Sequence, residues 1–235
     1  MKPDEVHVWR VGLNVAAESV EVMRMLLSRQ ERERAGRFRF VRDQRQFVVA
    51  HAALRSVLSQ YLGCDPVDLS FELGYHGKPY LSGKHRTAGL QFNLSHTDGL
   101  ALLAVARMRR VGVDVEAVKP ELGLRDLAKG SFSRRELAAL EQLPESDRCH
   151  GFFRCWTRKE AYIKGRGEGL QVPLRRFSVS LEHSEPARLL ETEFDPRDVQ
   201  RWELWDIQLG QKFAGAIAVE GVGLLLSIRD FDAGV

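Results

Sequence analysis

The chain has 235 residues, with 35 Lys and Arg against 32 Asp and Glu, for a formal charge of +3. Hydrophobic residues make up 44% and charged residues 29%, which fits a folded chain able to bury a sizeable core. This mild charge argues against the strongly basic class of nucleic-acid binders but suits an anionic ligand or an acidic partner.

In chain order, "EVHVWRVGL" (5–13) is strand-like. Ser28 and Glu31 have the spacing of a capping box, which predicts a helix start. The arginine-rich stretch 29–47 is expected as a solvated helix face with Glu–Arg pairs. A longer helix is predicted over 43–63, where Phe47, Ala50, Leu54, Val57, Leu58 and Tyr61 recur at helical spacing and Gly63 ends the run. "LSFEL" (69–73) is followed by the turn-rich "GYHGKPYL" (74–81). Strands are predicted at 90–94 and 99–106, joined by the loop "SHTDG", and at 110–118, which alternates strictly.

A second possible capping box, Ser133 and Glu136, leads into a helix over 134–143, and another helix covers about 148–165. Strands follow at 176–182, 202–209, 213–221 and 224–231. Helices followed by strands, twice, predict an α+β fold of two similar lobes related by pseudo-twofold symmetry, divided as 1–112 and 113–235. No apolar run approaches the roughly 18 residues needed to cross a bilayer. "MKPDEVHVW" lacks the apolar segment of a signal peptide. Cys64, Cys149 and Cys155 form no C-x-x-C pair, which argues against a disulfide framework or a thiolate metal site. A cytoplasmic protein without membrane contact is the expectation.

Four stretches carry chemistry. In "VGVDVEAV" (111–118) the valines point to one side of the strand and Asp114 and Glu116 to the other, roughly 6–7 Å apart at the backbone. Two carboxylates so placed repel unless solvated or sharing a cation, and hard oxygen donors suit Mg²⁺. A strand with a polar outer face would look the same. "NLSHTDG" (93–99) sets Asn93, Ser95, His96 and Thr97 at a hairpin tip, where they could serve a ligand or only the turn. "HGKP" (76–79) could be a turn alone, or could let Lys78 reach a phosphate. In "CWTRKEAYIKGRGEG" (155–169), Phe152, Trp156 and Ile163 form an apolar helical stripe with Glu160 on its edge and Lys164 one turn on. At that depth Glu160 could complete a metal site with Asp114 and Glu116, or simply pair with Lys164.

Taken together, "GKP", "FNLSH", "GVDVE" and "FFRCWTRKEAYIKGRGEGL" resemble, in order, the motifs of the 4′-phosphopantetheinyl transferase superfamily, specifically its two-lobed, surfactin-synthetase-activating type. The G-[IV]-D-[VI]-E and W-x-x-K-E-[AS] elements are the family signature, and the resemblance runs from about residue 34 to 177. It implies transfer of the phosphopantetheine arm of coenzyme A to a serine of an apo acyl or peptidyl carrier protein, with release of adenosine 3′,5′-bisphosphate. Asp114, Glu116 and Glu160 would hold Mg²⁺, with Mn²⁺ as the other candidate. Glu160 and Lys164 would be catalytic, Glu160 also being the best candidate base. Coenzyme A contacts would come from Lys78, Pro79, Asn93, Ser95, His96, Asp114, Lys159 and Lys164. Arg34, Arg45, His51 and Arg55 are candidates for its 3′-phosphate, although Glu31 and His51 depart from the family pattern. A monomer is expected, with no nucleic acid among its partners. The alternatives at this stage are a metal-dependent nuclease or phosphodiesterase using the same carboxylates, and a non-catalytic module binding through its arginine-rich helices.

Overall fold

The computed structural model describes residues 1–120, 123–169, 172–182 and 185–233, so Leu170, the last residue of the signature, lies outside them. The chain opens with β1 (Glu5–Gly12), α1 (Ala17–Arg24), α2 (Arg29–Ala35) and α3 (Val41–Leu62). Next come β2 (Phe71–Leu73), β3 (Pro79–Leu81), β4 (Leu90–Thr97), β5 (Leu100–Arg107) and β6 (Val111–Ala117). The helices α4 (Leu124–Ser131), α5 (Arg134–Gln142) and α6 (Glu145–Arg166) follow. The chain closes with β7 (Phe177–Val179), β8 (Leu189–Thr192), α7 (Asp198–Arg201), β9 (Trp202–Asp206), β10 (Phe213–Glu220) and β11 (Leu225–Asp230).

This is an α+β fold, as expected. Both predicted capping boxes form: Ser28 and Ser133 accept from the backbones of Glu31 and Glu136, whose carboxylates accept in return. Gly63 (φ 63°) and Gly167 (φ 75°) end α3 and α6 in the left-handed conformation that glycine adopts without strain. The first sheet has the strand order β11-β1-β5-β4, with β11 parallel to β1 and the other pairs antiparallel. The second has the order β6-β10-β9, all antiparallel. The proposed boundary at 112/113 falls within β6, and the last strand returns to the first sheet.

The alternation in β6 explains how the sheets join. Val111, Val113 and Val115 are buried with Val6, Val8, Leu102 and Ala104 of the first sheet, and with Ile217 and Val219 of β10. The opposite face of β6 packs under α6. Beside β6 runs β4, linked to it by side chains rather than a backbone ladder. Asn93 Oδ1 accepts from the Val113 N–H at 2.8 Å and Thr97 Oγ1 from the Ala117 N–H at 3.2 Å.

Two local expectations change. Ser95, His96 and Thr97 belong to β4 instead of a loop, and the turn shrinks to Asp98 and Gly99, whose φ is 84°. Register with β5 continues to the Thr97–Leu100 pair, so the ladder absorbs the polar residues. Sequence patterns also missed α1, α4 and β8, each four to eight residues long.

Candidate active site

Glycine makes the site possible. A Cβ on Gly112 would lie 2.1 Å from both the Ala161 carbonyl oxygen and the Gly165 nitrogen, so β6 and α6 touch backbone to backbone there. This contact brings Asp114 of β6 against the last turns of α6. Lys164 Nζ donates to Asp114 Oδ1 at 2.5 Å and to Ser95 Oγ at 3.0 Å, while Ser95 Oγ donates to the same carboxylate oxygen at 2.9 Å. The alternative in which Lys164 simply pairs with Glu160 is not what forms; Lys164 pairs with Asp114.

Asp114, Glu116, Glu160 and Lys164 line one cleft of about 480 Å³, within the size range of small-molecule sites. Lys78, Pro79, Asn93 and Leu94 line it too, along with Trp156 and Ile163 of α6, His76, and the glycines at 77, 167 and 169. Its lining is therefore divided in character, acidic around β6 and apolar or glycine-rich elsewhere. His76, Trp156, Ile163 and the trailing glycines are lining residues that the sequence reading did not assign to the site. The "HGKP" turn and "GRGEG" were the available signals, because positive-φ glycines beside a helix end leave room for a ligand.

The electrostatics of this cluster are unbalanced. Burial, then the nearby Asp114, pushes the Glu160 carboxyl up to about 7, with Lys164 acting against the rise and Glu116 adding to it. Burial and Asp114 likewise raise Glu116. Asp114 Oδ2 is buried without a hydrogen-bond partner. Among the described residues, no hydrogen bond reaches the carboxylate of Glu116 or Glu160. No three His, Cys, Asp or Glu side chains of the described residues already converge in metal-ligand geometry. The donor set nevertheless fits a hard divalent cation: three carboxylates face one cleft, one has an orphaned oxygen, and a single ammonium offsets them.

The other cations around Glu160 face elsewhere. Lys159 corrects the expectation most clearly, because it is fully buried and bonds both Glu136 oxygens at 2.7 and 2.6 Å and the Phe177 carbonyl at 2.7 Å. Successive helical residues are turned by about 100°, so Glu160 meets the cleft while Lys159 meets α5 and β7. It cannot touch a phosphate in this arrangement. Arg158 forks onto Asp206 and bonds the Ser180 carbonyl, and Arg166 bonds Asp198 and Glu168. Lys78 borders the cleft, but its ammonium donates to the carbonyls of Val111 and Lys164 at 2.8 Å and of Gly165 at 3.3 Å. Burial, then Arg110, lowers it to about 8. In this structure Lys78 pins the β2–β3 hairpin to the carbonyl-rich end of α6.

Ser95 and His96 part company, as neighbours on a strand must. Ser95 faces Asp114. His96 lies on the other side of β4, where burial, then His51, Lys164 and Arg34, lower its proton affinity. His51 stacks on Phe47 with centroids 4.0 Å apart, and Arg34 lies over the same ring. Arg34 and Arg45 are exposed, whereas Arg55 is buried and used internally.

Comparison with known proteins gives the family. A model of the 4′-phosphopantetheinyl transferase superfamily matches residues 110–218, and one described as 4′-phosphopantetheinyl transferase, N-terminal, matches residues 14–108. The chain belongs to the 4′-phosphopantetheinyl transferase family. The transferase HetI of Nostoc sp. is 37% identical over 220 residues, covering 94% of this chain and 90% of that protein. The Bacillus subtilis transferase Sfp is 30% identical over 167 residues, covering 71% of this chain and 72% of that one. A phosphopantetheinyl transferase of Thraustochytrium sp. is 27% identical over 205 residues, covering 83% and 70%. This chain is therefore an enzyme of the phosphopantetheinyl transferase type, and its described helices include none long and apolar enough to cross a membrane.

Proposed function

We propose that this transferase moves the phosphopantetheine arm of coenzyme A onto a serine of an apo acyl or peptidyl carrier protein and releases adenosine 3′,5′-bisphosphate. Asp114, Glu116 and Glu160 would hold the divalent ion, Mg²⁺ or alternatively Mn²⁺. When bound, that ion supplies charge neutralisation and Lewis acidity at the pyrophosphate. The observation carrying the reading is the trio of carboxylates lining one cleft beside Lys164, with Asp114 Oδ2 buried and unpartnered.

The protein's own groups have separable tasks. Lys164 is held against Asp114 and Ser95 at the edge of the cleft, where it offers positive charge to a phosphate oxygen. Ser95 orients Asp114. The apolar side, with Trp156, Ile163 and Pro79, suits the uncharged pantetheine arm and excludes water from it. A carboxylate near pH 7 could take the serine proton, but one that holds a cation is a poor base. Metal binding is therefore the role we assign to Glu160. The expected working form is a cytoplasmic monomer acting on carrier domains, without nucleic acid or membrane.

Intact-mass spectrometry of an apo carrier protein tests the reading. Incubation with this enzyme, coenzyme A and Mg²⁺ should add the mass of one phosphopantetheine, and EDTA should block the addition. No gain across several carrier classes, together with no coenzyme A binding, would refute it.

A further inference from the structure

A second groove, of about 710 Å³, shares no lining residue with the cleft. Four consecutive residues of β9, Trp202, Glu203, Leu204 and Trp205, line it. Neighbours on a strand point to opposite faces of their sheet, so a groove touched by four in a row runs along the strand's edge. β9 is the last strand of the second sheet, and no described strand pairs with its outer side. Leu189 and Leu190 of β8 line the same groove, as do Val222 and Leu224 after β10.

The backbone of β9 meets this groove with unused hydrogen-bonding groups. The Ile207 N–H donates to the Gly215 carbonyl at 2.8 Å and the Gly221 N–H to the Arg201 carbonyl at 2.7 Å, just beyond the two ends of β9. Alternate residues of an antiparallel strand bond a given neighbour, so 201, 203, 205 and 207 turn inward to β10 and the even-numbered residues turn outward. Trp202 gives its N–H to the Asp198 carbonyl. The Trp202 carbonyl and both backbone groups of Leu204 find no partner among the described residues. Leu204 is only 4% exposed, and peptide groups at such depth are seldom left unpaired. The charges beside the groove are mostly taken: Arg188 pairs with Glu185 at 3.1 Å, and Glu203 accepts from the Gly223 and Leu224 N–H groups. Exposed Arg135 also lines the groove and forms no ion pair with a described residue.

We infer that the edge of β9 is a docking site for an extended segment of a partner protein, apolar along its length and acidic at the end beside Arg135, which enters the groove as an added strand. Leu204 donates one backbone bond to this strand and accepts another, and the Trp202 carbonyl accepts a third. Apolar side chains of the segment meet the leucines of β8 on one side and Val222 and Leu224 on the other. A second copy of the chain fits less well. Leu204 is buried whereas Val222 is 65% exposed, so the edge is recessed, and two recessed edges cannot meet. The inference does not depend on the transfer reaction.

The probe is a short fluorescein-labelled peptide that alternates valine and threonine and carries a pair of glutamates at one end. Fluorescence anisotropy with the full chain should show saturable binding. The same peptide N-methylated at alternate amides cannot pair with a strand and should bind at least about tenfold more weakly. Hydrogen exchange should slow at the Leu204 amide by about tenfold or more when the unmodified peptide is bound. Arg135→Glu places an acid in the first turn of α5, where the helix favours it, so the variant should fold. It should bind the acidic peptide about fivefold more weakly and gain affinity for a peptide ending in lysines. No binding up to about 1 mM, equal binding of the N-methylated peptide, unchanged affinity in Arg135→Glu, or protection confined to other strands overturns the inference. A dimer in sedimentation that the peptide dissociates would make a second copy the occupant, and overturns it as well.

Discussion

Glu160 shows how one side chain can couple stability to function. Its carboxyl is pushed up to about 7 from 4.5, so the folded protein favours the protonated form. Its stabilising contribution is complete below about pH 4.5 and is lost as pH rises through 7. Glu160→Gln cannot ionise and should escape this loss. Without metal, the variant should match wild-type stability near pH 4 and exceed it above pH 7, by about 1–3 kcal/mol at pH 8. Its transfer rate should fall by about 100-fold or more. Thermal unfolding across this pH series, paired with rate measurements, checks both halves. Equal stability at all pH values would mean that Glu160 is not held against its own charge. At this scale the sequence was only partly legible. The stripe of Phe152, Trp156 and Ile163 placed Glu160 at the edge of the core, and period-two alternation put Asp114 and Glu116 on the face away from the valines. Neither pattern could separate Lys164, which reaches Asp114, from Lys159, which is buried against Glu136, because both flank Glu160 on the same helix. Which partner lies opposite each face is a tertiary fact.

At the scale of elements, the meeting of β6 and α6 determines the site, and Gly112 permits it. The obstacles to a Cβ there are backbone atoms of Ala161 and Gly165, which cannot swing aside as a side chain could. Gly112→Ala should therefore cost about 3 kcal/mol by overpacking. Protein that remains folded should transfer phosphopantetheine far more slowly, because α6 must move away from Asp114. Chemical denaturation and a rate per folded molecule measure this, and a stable, active variant would rule out the close contact. The sequence showed Gly112 inside a strand, where glycine often marks close backbone approach, but not what approached it. The long elements were legible because apolar residues recur at helical spacing in α3 and α6, β5 is a continuous apolar run and β6 alternates. The short α1 and α4 lack a side-chain cap, and β8 spans only four residues, so little local signal marked them. At the end of β4, polar composition pointed to a loop, but pairing with β5 kept the strand extended.

For the whole molecule, two sheets share a core of valine, leucine and alanine, with the cleft above their seam. β4 and β6 come from different sheets and are joined by Asn93, Thr97 and Ser95, so the residues around Asp114 depend on both sheets. The α+β class followed from element order, whereas the return of β11 to β1 did not. A parallel pair between the two ends of the chain leaves no local pattern in either strand. This architecture places three carboxylates on one cleft with one ammonium between them and the surrounding cations tied up elsewhere. The central claim is that the missing positive charge is a divalent ion. Mn²⁺ binding followed by electron paramagnetic resonance in the presence of coenzyme A tests it most directly, comparing wild type with Asp114→Asn and Glu160→Gln. The wild type should bind one ion that both variants lose while remaining folded. Undiminished Mn²⁺ binding by the two variants would contradict the claim.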